Sequence, residues 1–200
     1  MYAALLVSLS YLLGSIPFGL VIAYLVKKID IRKFGSGNIG ATNVVRVVGK
    51  SWGIFVFVLD FLKGFLPVIL AKLFLATAHT YIYILIGLCA VCGHNWPIFL
   101  KFKGGKGVAT TLGVVCGLSV IFPILWIVLL LSVSIWAIVF FIFRYVSLAS
   151  ILLAVSLCVF SFLFPLPSAI KWFLSVVAVF ILIRHKKNIK NLLDKKEHRF

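Results

Sequence analysis

Charged side chains fall in clusters along this chain, and the stretches between them are almost wholly apolar. Residues 1–26, 73–100, 107–143, 145–170 and 172–183 contain no Asp, Glu, Lys or Arg. An α-helix rises about 1.5 Å per residue, so about 20 residues cross a hydrocarbon core of about 30 Å. The first, second and fourth runs each predict one spanning helix. The third is too long for a single crossing, and Gly117 and Pro123 near its middle predict a turn between two spans. A further span is predicted over 51–75, interrupted by Asp60, Lys63 and Lys72. The last run is short but reaches back to Ser168 if Lys171 lays its stem along apolar surface and keeps its ammonium at the interface. The pattern therefore predicts an all-α integral membrane protein. It is a single domain over 1–200, with seven helices at about 2–26, 51–75, 80–99, 108–122, 124–143, 145–164 and 168–184.

Seven crossings sort the cations. Loops 27–50 and 100–107, the Arg144 junction and the tail 185–200 fall on one side. That side holds Lys27, Lys28, Arg32, Lys33, Arg46, Lys50, Lys101, Lys103, Lys106, Arg144, Arg184 and the tail cations. Only Lys72 and Lys171 lie near the other face. Six or eight crossings would scatter the same residues over both faces. By the positive-inside rule the C-terminus is expected in the cytoplasm and the N-terminus outside. The uncharged first 26 residues lack a basic leader and a small-residue cleavage pattern, so they are expected to be a permanent span.

Composition agrees with this placement. Hydrophobic residues make up 64% of the chain and charged residues 12%. Soluble domains carry about 25% charged residues, so a water-facing surface could not be coated here. The net charge of +16 would suggest nucleic acid in a polar protein. In a chain this apolar it is expected instead to set topology and to bind anionic partners, and no nucleic acid is expected. The tail from Arg184 onward also suits a solvated polybasic anchor to anionic headgroups. Cys89, Cys92, Cys116 and Cys158 all lie in apolar stretches, so small buried hydrophobes are expected. The C-x-x-C of Cys89 and Cys92 has no second pair or Cys/His cluster beside it, and no metal or cofactor is expected.

The first basic loop reads Gly35-Ser36-Gly37-Asn38-Ile39-Gly40-Ala41-Thr42-Asn43, with Arg46 following. Its glycines satisfy G-x-G-x-x-G, and Asp60 lies twenty residues past Gly40. A dinucleotide fold would need a strand before the motif and a parallel sheet around it, whereas here a membrane helix precedes it. What survives is the physics of the loop. Glycines admit positive φ and let backbone N–H groups converge on an anion. Ser36, Asn38, Thr42 and Asn43 are neutral donors, and Arg46 offers a planar fork suited to phosphate oxygens. A plain flexible linker is the alternative, and it has no need of Arg46 beside so many small polar groups.

The second motif is His94-Asn95-Trp96-Pro97, then Lys101-Phe102-Lys103-Gly104-Gly105-Lys106-Gly107 with Thr110 and Thr111 after it. A P-loop would require Ser or Thr where Gly107 stands and Gly where Leu100 stands, so that reading fails. A lysine on a glycine turn at a helix start remains, where helix N–H groups add to its charge and favour phosphate. Lys101 and Lys103 serve equally well as topology signals. Asp60 and Lys63, one turn apart inside a span, suit either a mutual ion pair that props up the site or direct contact with substrate. His94 suits a general base or a hydrogen-bonding prop. His185 and Asn188 share a helix face at the end of the last span, while His79 and His198 stand apart from these motifs. No Ser-His-Asp or Cys-His constellation emerges. The H-x-x-x-x-D pattern is missing too, since Phe99 and Lys190 follow His94 and His185 at that spacing.

Taken together, the Gly35–Asn43 block with Arg46, Asp60-Phe-Leu-Lys63-Gly64, His94-Asn-Trp-Pro through Gly107, and Gly14-Ser-Ile-Pro17-Phe-Gly19 resemble the bacterial membrane glycerol-3-phosphate acyltransferases that use acyl phosphate. The resemblance implies a multi-pass protein of the bacterial inner membrane with its active site facing the cytoplasm. It implies attack of the glycerol 3-phosphate 1-hydroxyl on acyl phosphate, giving lysophosphatidic acid and phosphate without a cofactor. Acyl phosphate and glycerol 3-phosphate would be the substrates and membrane lipids the surroundings; oligomeric state is not implied. Ser36, Arg46, Lys106 and His94 would be catalytic, with Lys106 and Arg46 on phosphate and developing charge. Gly37, Asn38, Gly40, Thr42, Asn43, Gly104, Gly105, Gly107, His185 and Asn188 would bind substrate, and Asp60 with Lys63 would form a structural polar pair. A transporter or exchanger of organic phosphates is the alternative function. Its site is expected near the midplane between repeated halves, and neither feature is evident.

Overall fold

The computed structural model describes residues 2–75 and 79–200, and among these all regular structure is helical. The chain divides into two compact units, Met1–Gly117 and Leu118–Phe200.

In the first unit the leading apolar run forms two helices, α1 (Tyr2–Gly14) and α2 (Phe18–Lys27). The break follows from Pro17, which has no N–H to donate and whose ring blocks continuation of the helix. The predicted span over 2–26 is thus one apolar stretch in two helical pieces. The loop expected over 27–50 has structure of its own: a 3-10 turn at Ile31–Lys33 and α3 (Ala41–Val47). Next come α4 (Lys50–Phe74), α5 (Thr80–Asn95), a 3-10 turn at Ile98–Leu100 and α6 (Val108–Ile121), within which the unit boundary falls.

Close approach of small residues holds these helices together, as is usual where lipid gives helices no hydrophobic reason to associate. A Cβ on Gly14 of α1 would overlap the backbone of Ala90 in α5, and one on Gly93 would overlap the Tyr11 carbonyl. Hydrogen bonds fasten the same pair: Ser10 Oγ donates to the Ile86 carbonyl at 2.6 Å and Tyr11 Oη to the Trp96 carbonyl at 2.9 Å. Between α4 and α6, Gly64 lies against the Thr110 carbonyl and Gly113 against the Phe61 carbonyl.

The second unit contains α7 (Leu125–Phe143), α8 (Val146–Leu163), α9 (Ser168–Arg184) and α10 (Lys186–Leu193). Trp136 Nε1 of α7 donates to Ser150 Oγ of α8 at 3.4 Å. The residues after α10 return to the α7–α8 junction. There the Phe200 N–H donates to the Arg144 carbonyl at 2.9 Å, and Arg199 Nε donates to Tyr145 Oη at 2.9 Å.

Among the described residues, five helical stretches suffice by length and composition to cross a membrane: Tyr2–Lys27, Lys50–Phe74, Thr80–Leu100, Leu125–Phe143 and Val146–Leu163. Ser168–Arg184 with Lys186–Leu193, bent by 59°, makes a sixth if the pair is one span. Val108–Ile121 is apolar but shorter.

Candidate active site

The first loop is built around Asn43. Its carboxamide is buried, and Nδ2 donates to the carbonyls of Asn38 at 2.9 Å, Phe34 at 3.0 Å and Ile31 at 3.3 Å. Its Oδ1 accepts the Ser36 N–H at 2.9 Å. Asn43 was expected to donate to an anion; instead its amide is engaged within the loop and acts as a brace. Asn38 turns inward in part as well, its Oδ1 accepting the Gly40 N–H at 2.8 Å. Gly35 and Gly37 take φ of 58° and 73°, the left-handed region that favours glycine. Gly40 does not need that freedom, with φ of −79° at the entry to α3. Thr42 and Arg46, four apart on α3, share a helix face and are both half-buried, as is Ser36.

Apolar packing fixes where this loop sits. Ile31, Ile39, Val44 and Val48 bury themselves on Ile22 and Ala23 of α2 and Val56 of α4. Leu100, at the end of the second 3-10 turn, packs against the same cluster, so the base of the second loop shares a core with the first. Lys27 Nζ donates to the Val47 carbonyl at 2.7 Å and satisfies the C-terminal end of α3. Asp30 caps the Ile31–Lys33 turn and grips Arg32, with Nη2 to Oδ2 at 2.7 Å. That guanidinium holds the Asp30 pKa down to about 2.

The second loop is seated on the end of α5. The Gly105 N–H donates to the His94 carbonyl at 3.0 Å, and a Cβ on Gly105 would overlap the His94 imidazole. Gly107 takes φ of 80° and lies against the Asn95 carboxamide. Lys106, between them, is half-buried, whereas Lys101 and Lys103 are exposed. The lysine therefore stands on a turn packed on both flanks, directly before α6. Sequence reasoning passed over Asn95. It is fully buried, and neither Oδ1 nor Nδ2 has a hydrogen-bond partner among the described residues. Thr110 and Thr111 at the start of α6 likewise bury hydroxyls without partners among those residues.

Behind this turn, Lys63 Nζ lies 2.7 Å from Asp60 Oδ1, and the same oxygen is 3.6 Å from His94 Nδ1. All three side chains are buried. In the second unit His185 is buried with Nδ1 2.8 Å from the Ile181 carbonyl, and Asn188 Nδ2 donates to Glu197 Oε1 at 2.7 Å. Glu197 was not anticipated as a partner of Asn188, because the contact forms only once the tail turns back after α10.

Residues 4–195 match the family described as glycerol-3-phosphate acyltransferase. The chain is 48% identical over 201 residues to the glycerol-3-phosphate acyltransferase of Aquifex aeolicus (strain VF5), covering 100% of both proteins. It is 46% identical over 192 residues to that of Wolbachia pipientis subsp. Culex pipiens (strain wPip), covering 96% of this chain and 95% of the relative. Among solved structures it is similar to PlsY (YgiH), an integral membrane glycerol 3-phosphate acyltransferase, in its glycerol 3-phosphate form. The TM-score is 0.91 at 47% identity, covering 100% of this chain and 96% of that one. The lysophosphatidic acid form gives a TM-score of 0.88 at 46% identity, with the same coverage.

Proposed function

The chain belongs to the glycerol-3-phosphate acyltransferase family, and from that premise we propose that it forms lysophosphatidic acid by taking the acyl group from acyl phosphate. It is an all-helical integral membrane enzyme that acylates glycerol 3-phosphate. The expected acyltransferase function holds, and the alternative of an organic-phosphate transporter falls away.

The reading of the donor rests on one observation above all: Lys106 is held half-buried on a glycine turn at a helix start, with no nucleophile–base pair in the motifs around it. An acyl phosphate is already activated, so positioning and charge stabilisation suffice. In the proposed step the 1-hydroxyl oxygen of glycerol 3-phosphate bonds to the acyl carbon. The bond from that carbon to the phosphate oxygen breaks, and the hydroxyl proton leaves on phosphate. Lys106 and Arg46 carry phosphate and the charge that grows on the carbonyl oxygen. Ser36, Asn38 and Thr42 orient phosphate and hydroxyl; for His185 and Asn188, in the second unit, the family resemblance supports a role in binding phosphate. His94 is enclosed by Asp60 and Gly105, which favours a phosphate oxygen of the substrate over His94 as proton acceptor.

The same reading gives the chain seven crossings, with the N-terminus outside and both glycine loops in the cytoplasm. The asymmetry of the cations supports it. α6, at 14 residues, is the shortest of the seven, and local bilayer thinning accommodates a short apolar helix. Purified protein should release phosphate from acyl phosphate only when glycerol 3-phosphate is added, with lysophosphatidic acid appearing in equal amount. Activity with acyl thioester but not with acyl phosphate would sink the donor assignment.

A further inference from the structure

Asp60 and Lys63 are 3% and 2% exposed, inside a stretch that reads as a membrane span. Burying two charges removes about as much free energy of hydration as their attraction restores, so such a pair adds little net stability. What it does supply is a fixed direction at each end. On one side Lys63 Nζ donates to the Ile16 carbonyl at 2.9 Å, within the break between α1 and α2, and stands 5.5 Å from the centre of the Phe18 ring. The next residue, Gly19, lies against the Ile39 carbonyl of the first loop. On the other side Asp60 Oδ1 faces His94 Nδ1 at 3.6 Å. The ring and carbonyl of His94 then seat Gly105, the residue before Lys106.

We infer that the Asp60–Lys63 pair is a positioning device for catalysis, registering the break in the first span and, through His94, the turn that carries Lys106. Neither carboxylate nor ammonium needs to touch substrate. The inference rests on the acyltransferase reading for its kinetic test, but its geometric test does not.

The discriminating variant is D60L/K63M, which replaces both charges with apolar groups of similar length and leaves no unpaired charge behind. It should fold, with a thermal transition within a few degrees of the original, because the pair adds little stability. Its kcat/KM for glycerol 3-phosphate should nevertheless fall by about tenfold or more, since displacement of a reacting group by about 1 Å suffices for losses of this order. Adding the double change to His94→Ala should cost less than the two separate losses combined, because the Asp60 arm acts through that residue while the Lys63 arm on the Ile16 carbonyl does not. Amide exchange over residues 101–107 should speed up in D60L/K63M. Gly105→Ala keeps both charges but displaces the imidazole, and should show a comparable kinetic loss. Wild-type kinetics and exchange in D60L/K63M would overturn the inference. So would its failure to fold, which would make the pair a structural brace. If the unaltered protein shows no turnover of acyl phosphate, the donor reading fails instead, and the exchange measurement still decides the inference.

Discussion

Replacing Lys106 by alanine tests whether the second loop binds phosphate through local geometry or through charge alone, and Lys103 is the control. The two carry equal charge three residues apart, so a diffuse basic surface would register their loss alike. Their surroundings differ. Lys103 is exposed, while Lys106 is half-buried between Gly105, hydrogen-bonded to the His94 carbonyl at 3.0 Å, and Gly107, at φ of 80° against Asn95. Losing a charge-assisted hydrogen bond costs about 1.5–3 kcal/mol, and losing one aimed at charge that develops in the transition state about 2.7–4 kcal/mol. At about 1.36 kcal/mol per factor of ten, Lys106→Ala should lower kcat/KM by about a hundredfold or more. An exposed cation contributes about 0–1 kcal/mol and is screened by salt, so Lys103→Ala should lose less than about fivefold. Glycerol-3-phosphate-dependent phosphate release from acyl phosphate, followed in detergent with thermal transitions recorded in parallel, measures both. Equal losses in two well-folded variants would refute the glycine-turn site and favour a diffuse basic surface.

The proposed topology predicts that a cysteine at Thr80 reacts with an impermeant thiol reagent from outside intact cells and one at Lys103 does not; the reverse pattern would invert the site. Radiolabelled acyl phosphate alone should leave the protein unlabelled, because the sequence motifs offer no nucleophile–base pair, and a stable adduct on Ser36 would reassign that residue. Gly107→Ala adds about 1–2 kcal/mol of left-handed backbone strain and a clash with Asn95, so both thermal transition and turnover should drop, whereas Gly49→Ala, at φ of 137° with open space on its Cβ side, carries backbone strain of a different kind without a clash and should lower the thermal transition alone. Removing the carboxylate with Glu197→Ala frees Asn188 from its 2.7 Å bond and should lower kcat/KM by about fivefold or more. Glu197→Gln, which still offers an acceptor, should recover most of that loss; no recovery would point to charge rather than orientation.

The helices were legible because lipid imposes a single demand, long uncharged runs, and the runs over 124–143 and 145–164 coincide with α7 and α8 to within two residues. Where the reading fell short, local chemistry overrode the run. Pro17 breaks the first stretch although hydropathy is continuous through it, and the loop over 27–50 folds into α3 because Val44 and Val48 can bury on Ile22, Ala23 and Val56. Hydropathy averaged over a span cannot register a partner that exists only after folding.

The chain has four acidic residues beside 20 Lys and Arg, and three of the four are held by a cation or a donor. Asp30 holds Arg32 and caps a turn, Asp60 meets Lys63 and His94, and Glu197 orients Asn188. In a protein whose substrates are anions, a carboxylate near the site repels what the site must bind, so it is tolerable only where a cation or donor already occupies it. The sequence made the pairing of Asp60 with Lys63 legible, because three residues make one helical turn. It could not reveal Glu197 with Asn188, since that contact depends on the tail turning back after α10. Nor could it separate Asn43 from Asn38: both are asparagines in one glycine-rich loop, and only the burial of Asn43 over three carbonyls makes it a brace rather than a ligand. Residue type and spacing identify the chemistry a loop can offer. Which members face the substrate and which hold the loop is decided by packing against α2 and α4, where no motif reaches.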